Sequence, residues 1–220
     1  MKYSLIIAGF ALSLASSLFG QEIKGALKLS DGFEIQAFHG SADGVITYSS
    51  FRILHHNRII YTDTTDSVGY FLKTRKYPML MQFSDNVYQL LILYSSPPAP
   101  YQARLLGFRN DHLFQNEIVP EFEGPPKDLA RDGSKEYAGV LDLGEEWQSS
   151  STDTTMVTSY NPILYYRVTP YGIALDSALT IRQNRMIYGK FYGFELTNDH
   201  PISVSEIGSK FGREYERIIK

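Results

Sequence analysis

No cysteine occurs in the 220 residues. That excludes a disulfide framework, a thiolate metal site, a cysteine nucleophile and a lipid-modified cysteine at a leader cleavage point. Basic excess is missing as well. The 21 Lys and Arg residues stand against 24 Asp and Glu, a formal charge of −3. A nucleic-acid-binding surface usually shows a clustered basic face, so this balance argues against one. After the N-terminus no apolar run approaches the ~18 residues of a membrane-spanning helix, so no transmembrane segment is expected in the mature chain. GxSxG, HExxH, HxH and Gly-rich phosphate-loop motifs are absent, which removes the sequence signatures of a serine hydrolase, a zinc protease and a nucleotide site. The adjacent His55 and His56 would point to opposite faces of a strand and cannot share a metal well.

What the chain does have begins with a leader. Lys2 precedes an apolar stretch, Leu5 to Leu14, and then the small residues Ala15, Ser16 and Ser17. This is the layout of a cleaved signal peptide over residues 1–20, with cleavage expected after Ser17 or Gly20. Export without any cysteine fits a bacterial periplasm, cell envelope or extracellular space. Residues 21–220 are long enough to bury a core as a single β-rich domain.

Aromatic residues, mostly Tyr and Phe, make up 14% of the chain and are spread along all of it, which favours pleated, half-buried surfaces. Short runs of alternating apolarity recur between turn residues, and helical periodicity is nearly absent. Ser30-Asp31-Gly32 predicts a hairpin turn, His39 to Gly44 a second turn, and His55-His56-Asn57 a third. Strands are predicted over 45–54, 58–62, 70–73, 79–83 and 87–94. A meander runs from Val87 to Phe122 through a proline-rich tip at 95–100 and a turn at Arg109-Asn110-Asp111. The polar run 144–162 reads as a long surface loop and a subdomain boundary. Further strands are expected at 163–168 and 190–196. Asp176 and Gly189 mark the ends of a short helix, and Ile207, Phe211, Ile218 and Ile219 predict an amphipathic C-terminal helix. The expected fold is mainly β: antiparallel meanders, blade-like or sandwich-like, with a short C-terminal helix.

One loop carries a chemical pattern. Asp128, Asp132 and Glu136 fall at positions 1, 5 and 9, with Gly133 at position 6, and a strand follows from Tyr137 to Leu143. Alternate oxygen side chains around a glycine turn can converge on Ca²⁺. Position 3 is Ala130, which supplies no ligand. Three carboxylates repel one another, so compensation is expected from an ion, from Arg131 or Lys135, or from solvent. Over residues 87–143 the meander, loop and strand resemble a calcium-loop blade of the FG-GAP/VCBS type. That resemblance implies a structural Ca²⁺ held by Asp128, Asp132 and Glu136 in a domain that binds partners.

Trp147, among Glu145, Glu146 and Gln148, is a candidate binding contact, with tucking against a sheet edge as the alternative. The functional expectation is an exported, non-catalytic interaction or envelope protein with an unknown protein or glycan ligand. The alternative is a secreted glycan-active hydrolase using carboxylates such as Glu121, Glu123, Glu145 and Glu146.

Overall fold

The computed structural model describes residues 22–41, 47–64, 69–95, 101–141, 144–150 and 155–220. The leader read at 1–20 lies outside them, as do most of the turn at 39–44 and the proline tip after Ser95. The fold is mainly β and antiparallel, with two helices, one of them C-terminal. The chain divides into two compact units, Met1–Asp66 and Ser67–Lys220.

The first unit is an antiparallel succession of four strands: β1 (Gly25–Lys28), β2 (Phe33–Ser41), β3 (Thr47–His55) and β4 (Arg58–Thr64). Its two described turns are tight because their residues accept left-handed backbone: Asp31 and Gly32 have φ of 52° and 76°, His56 and Asn57 48° and 66°. Register pairs Ile35 with Ile53 and Ala37 with Phe51, all buried, which puts them on one apolar face.

The second unit has three layers. The first is the predicted meander, in which β7 (Val87–Ser95), β8 (Gln102–Arg109) and β9 (His112–Pro120) pair in order. Two further strands, β5 (Gly69–Tyr70) and β6 (Met79–Ser84), share the other side of β7. The second layer is a sheet of β10 (Lys135–Gly139), β13 (Leu164–Thr169) and β14 (Gly172–Leu175), with β13 in the middle. The third consists of α1 (Ser177–Tyr188) and α2 (Val204–Ile219), together with a small sheet of β11 (Glu146–Gln148), β12 (Met156–Tyr160) and β15 (Thr197–Ser203).

The middle sheet is buried on both faces, and side-chain parity divides it. Tyr137, Leu164, Tyr166 and Ile173 join Leu91, Leu105 and Phe122 in one core. Ala138, Ile163 and Tyr165 join Leu179, Ile187, Ile207 and Ile218 in the other. A buried residue, Gln89 on β7, ties the first two layers together. Its Oε1 accepts the Ile173 N–H at 2.6 Å and its Nε2 donates to the Ile173 carbonyl at 3.3 Å. Gly172 permits this approach, since its φ is 134° and a Cβ there would stand 2.6 Å from the Gln89 amide.

Helix α1 matches its sequence signals. Asp176 Oδ1 accepts the Leu179 N–H at 2.8 Å, and Gly189 ends the helix at φ 75°. The helix also completes the β13 ladder. Strand β14 pairs only with residues 166–169, so the preceding backbone needs other partners. Thr180 Oγ1 accepts the Tyr165 N–H at 3.1 Å, while buried Asn184 accepts the Ile163 N–H at 3.0 Å and donates to its carbonyl at 2.8 Å.

Several segments differ from the sequence-based expectation, and of the strand expected over 70–73 only Tyr70 is extended in β5. Within the run expected as a surface loop, 146–148 and 156–160 form the paired strands β11 and β12, with Val157, Ser159 and Tyr160 buried. Threonine favours strands, and Met156 to Tyr160 alternates enough to place one side inward. Residues 190–196 are irregular, and the strand begins at Thr197. Gly193 at φ 136° breaks the extended run, and Tyr192 packs on Tyr160 at 5.1 Å. Strand β15 tolerates Pro201 because it lies at the edge of its sheet, beside β12 alone.

Replacing Asn184 with Ala leaves both backbone groups of Ile163 buried without partners. The expected loss is about 1–3 kcal/mol, read as a lower urea midpoint at unchanged m-value; an unchanged midpoint would show that the amide does not hold the helix to β13.

Candidate functional site

The loop that carries the acidic pattern is closed by its own backbone. Lys127 and Glu136 exchange N–H···O bonds of 3.0 and 2.7 Å, so residues 128–135 form a ring. Within it the carboxylates serve as acceptors for main-chain amides. Asp128 takes the N–H groups of Asp132 and Gly133 at 3.0 and 3.1 Å. Asp132 takes that of Ser134 at 2.9 Å. Glu136 is fully buried, and its Oε2 takes those of Leu129 and Ala130 at 2.9 and 3.1 Å. The loop is therefore built from Asx-type turns around an inward-facing glutamate.

The cation at this centre is Arg167, which the sequence reading missed. The β10–β13 register sets it directly opposite Glu136. Its NH2 donates to Asp132 Oδ2 at 2.8 Å and its Nε to Asp176 Oδ2 at 2.9 Å. Glu136 Oε1 faces the same Nε at 3.5 Å without a hydrogen bond. One guanidinium thus joins the loop, the middle sheet and the cap of α1. Asp132 is held below the ordinary carboxylate range, first by the Ser134 amide and hydroxyl and then by Arg167. The pattern at 128–136 could not reveal Arg167, because the residue lies in another strand and reaches Glu136 only through register.

Of the three candidate ligands, Asp132 and Glu136 meet at Arg167, and Asp128 is turned to amides on the loop itself. Among the described residues, no three His, Asp or Glu side chains are grouped to hold a metal ion. Five backbone amides and one guanidinium donate to these carboxylates. The strand after the loop runs from Lys135 to Gly139 and pairs with β13, in a different sheet from the meander.

Beyond the loop lies a groove between the two helices. Arg217 on α2 donates to the Leu129 carbonyl at 2.9 Å and through Nε to Glu214 at 2.9 Å. The Tyr165 hydroxyl donates to the same Glu214, and burial pushes that hydroxyl's pKa well up. Two adjoining cavities of about 360 Å³ each lie here and share Gln183, Met186, Glu214 and Arg217.

Trp147 is half-buried in β11, opposite Val157 of β12, and Glu145 and Glu146 beside it are exposed. Glu121 lies 3.8 Å from Lys76, and burial raises its pKa against that attraction. Two residues along the same segment is Glu123, and burial pushes the pKa of the neighbouring Tyr215 phenol up to about 12. Both carboxylates have local partners on one segment. The chain matches no known protein family, no curated protein and no solved structure.

Replacing Arg167 with Met leaves Glu136 as a buried charge without its cation. The expected cost is about 2–4 kcal/mol, below the full value for a broken buried pair because the guanidinium is partly open to water. Lysine should not restore it, lacking the planar fork, whereas adding Glu136→Gln to R167M should recover part of the loss. Urea denaturation of the four proteins decides this, and a wild-type midpoint for R167M would refute it. Millimolar Ca²⁺ added to chelator-treated protein is expected to leave its melting temperature unchanged; a clear rise would place an ion at the loop.

Proposed function

We propose that this is an exported, non-catalytic interaction protein of the cell envelope, and that it engages an extended segment of a partner polypeptide along β9. The observation that carries this reading is the state of that strand. It is nine residues long and, among the described residues, hydrogen-bonded to β8 alone. It exposes Leu113, Phe114 and Ile118, at 38%, 46% and 40%.

Free edges are usually blunted, because unpaired N–H and C=O groups invite pairing with another chain. Here the bulge at Phe114 and the terminal Pro120 limit the two ends, leaving 115–119 regular. Adding a strand there satisfies the main chain, while the exposed side chains supply apolar contact and selectivity. Glu117, exposed in the middle of this stretch, favours a partner segment with a basic residue opposite it. The leader pattern and the absence of cysteine support the envelope location. Arg167 supplies positive charge to the acidic loop from within the chain.

A photo-crosslinking residue at Glu117 or Ile118 in producing cells is expected to give discrete adducts in the envelope fraction. The same residue at Asp85, in the exposed β6–β7 turn, should give none. Equal yield at Asp85, or no adduct from β9, would reject β9 as the contact edge.

A further inference from the structure

We infer that the groove between α1 and α2 binds a ligand carrying two phosphoryl groups. The inference rests on a surface separate from β9 and stands independently of the partner proposed there. Two adjoining cavities of about 360 Å³ each form the groove. Lys210 and Arg213 line one, Arg131 and Arg182 line the other, and Arg217 lies where they join. The one carboxylate lining them, Glu214, is engaged by Arg217 and by the Tyr165 hydroxyl.

The other four cations are exposed and pair with no carboxylate among the described residues. In a chain with a formal charge of −3, such a local concentration of positive charge needs a reason. Cations near helix C-termini offset the helix dipole, which accounts for Arg217 in the last turn of α2. It does not account for Lys210 in mid-helix or for Arg131, which is on the loop. Arg131 holds a left-handed backbone (φ 60°), a region that side chains other than Gly, Asn and Asp rarely adopt. Such local strain persists only where the surrounding structure enforces it. The enforcement is visible: Glu136 holds the Ala130 N–H at 3.1 Å, Asp128 holds the Asp132 N–H at 3.0 Å, and Arg217 holds the Leu129 carbonyl at 2.9 Å.

Charge matching selects the ligand class. Each lobe offers two unpaired cations, and a phosphate monoester carries about −1.5 to −2 near neutral pH where a carboxylate carries −1. Arginine predominates, and its planar fork suits phosphate oxygens. The two phosphoryl groups could belong to a soluble compound or to a lipid headgroup of the envelope.

Tripolyphosphate serves as the soluble probe. It should raise the melting temperature of the purified protein saturably, while sodium chloride and sulfate at matched ionic strength do not. The R182Q/R213Q double variant should bind about tenfold or more weakly, and R185Q, exposed on α1 outside the groove, should bind as wild type. Both groove side chains are exposed and unpartnered, so the double variant should melt like wild type without ligand. Phosphatidylcholine vesicles doped with a doubly phosphorylated lipid form the second arm. Sedimentation of the wild type but not the double variant, reversed by tripolyphosphate, identifies the headgroup source; tripolyphosphate binding without sedimentation identifies a soluble one. An unsaturable response, a chloride or sulfate effect of equal size, or wild-type affinity in R182Q/R213Q overturns the site.

Discussion

A strand buried on both faces has no water for its backbone, so every N–H and C=O must find a protein partner. That constraint on β13 organises the second unit. Tyr137-bearing β10 serves one side from Leu164 to Val168, and β14 serves the other only from Tyr166 onward. The shortfall is met by side chains of α1, which places that helix against the sheet by hydrogen bonds as well as by Leu179 and Ile187. A polar group in such a place is costly when unmet and specific when met. Asn184 and Thr180 therefore dictate where along β13 the helix must lie, a choice that apolar contact alone would leave loose.

The acidic loop shows the same economy of partners. Its spacing resembles that of an oxygen-ligand loop, and its carboxylates do converge on amides and on a positive centre. The positive centre is a side chain, placed by the β10–β13 register opposite the buried Glu136. Because Arg167 also holds Asp176, the geometry of the loop and the start of α1 are linked through one guanidinium. On the outer side of the loop, Arg131 faces the groove lined by the two helices.

Much of the fold was legible in the sequence where the signal was local. Asp31-Gly32, His56-Asn57 and Asn110-Asp111 all have the left-handed backbone that tight hairpins need. Asp176 and Gly189 bracket α1 as their chemistry requires. The misses were of two kinds. In 190–196 the aromatic content favoured a strand, but Gly193 and the packing of Tyr192 on Tyr160 outweighed propensity. At the acidic loop the individual residues were visible, yet Arg167 acts across a sheet, and no linear pattern encodes register between distant strands. The basic groove was invisible for a related reason. Arg131, Arg182 and Lys210 lie far apart in a chain whose overall balance is acidic, so composition pointed away from them.

The way α1 is bound to its own strand also bears on how the chain reaches this structure. Thr180 meets Tyr165 across 15 residues and Asn184 meets Ile163 across 21, whereas Arg167 must find Asp132 across 35 and Gln89 must find Ile173 across 84. Closing a loop costs more entropy as the loop lengthens. The hairpin of β13 and β14 with the helix that follows thus loses less on ordering than the contacts made by Arg167 and Gln89. It can form as a local unit and offer both a sheet edge and a fixed guanidinium to parts of the chain that arrive from further away.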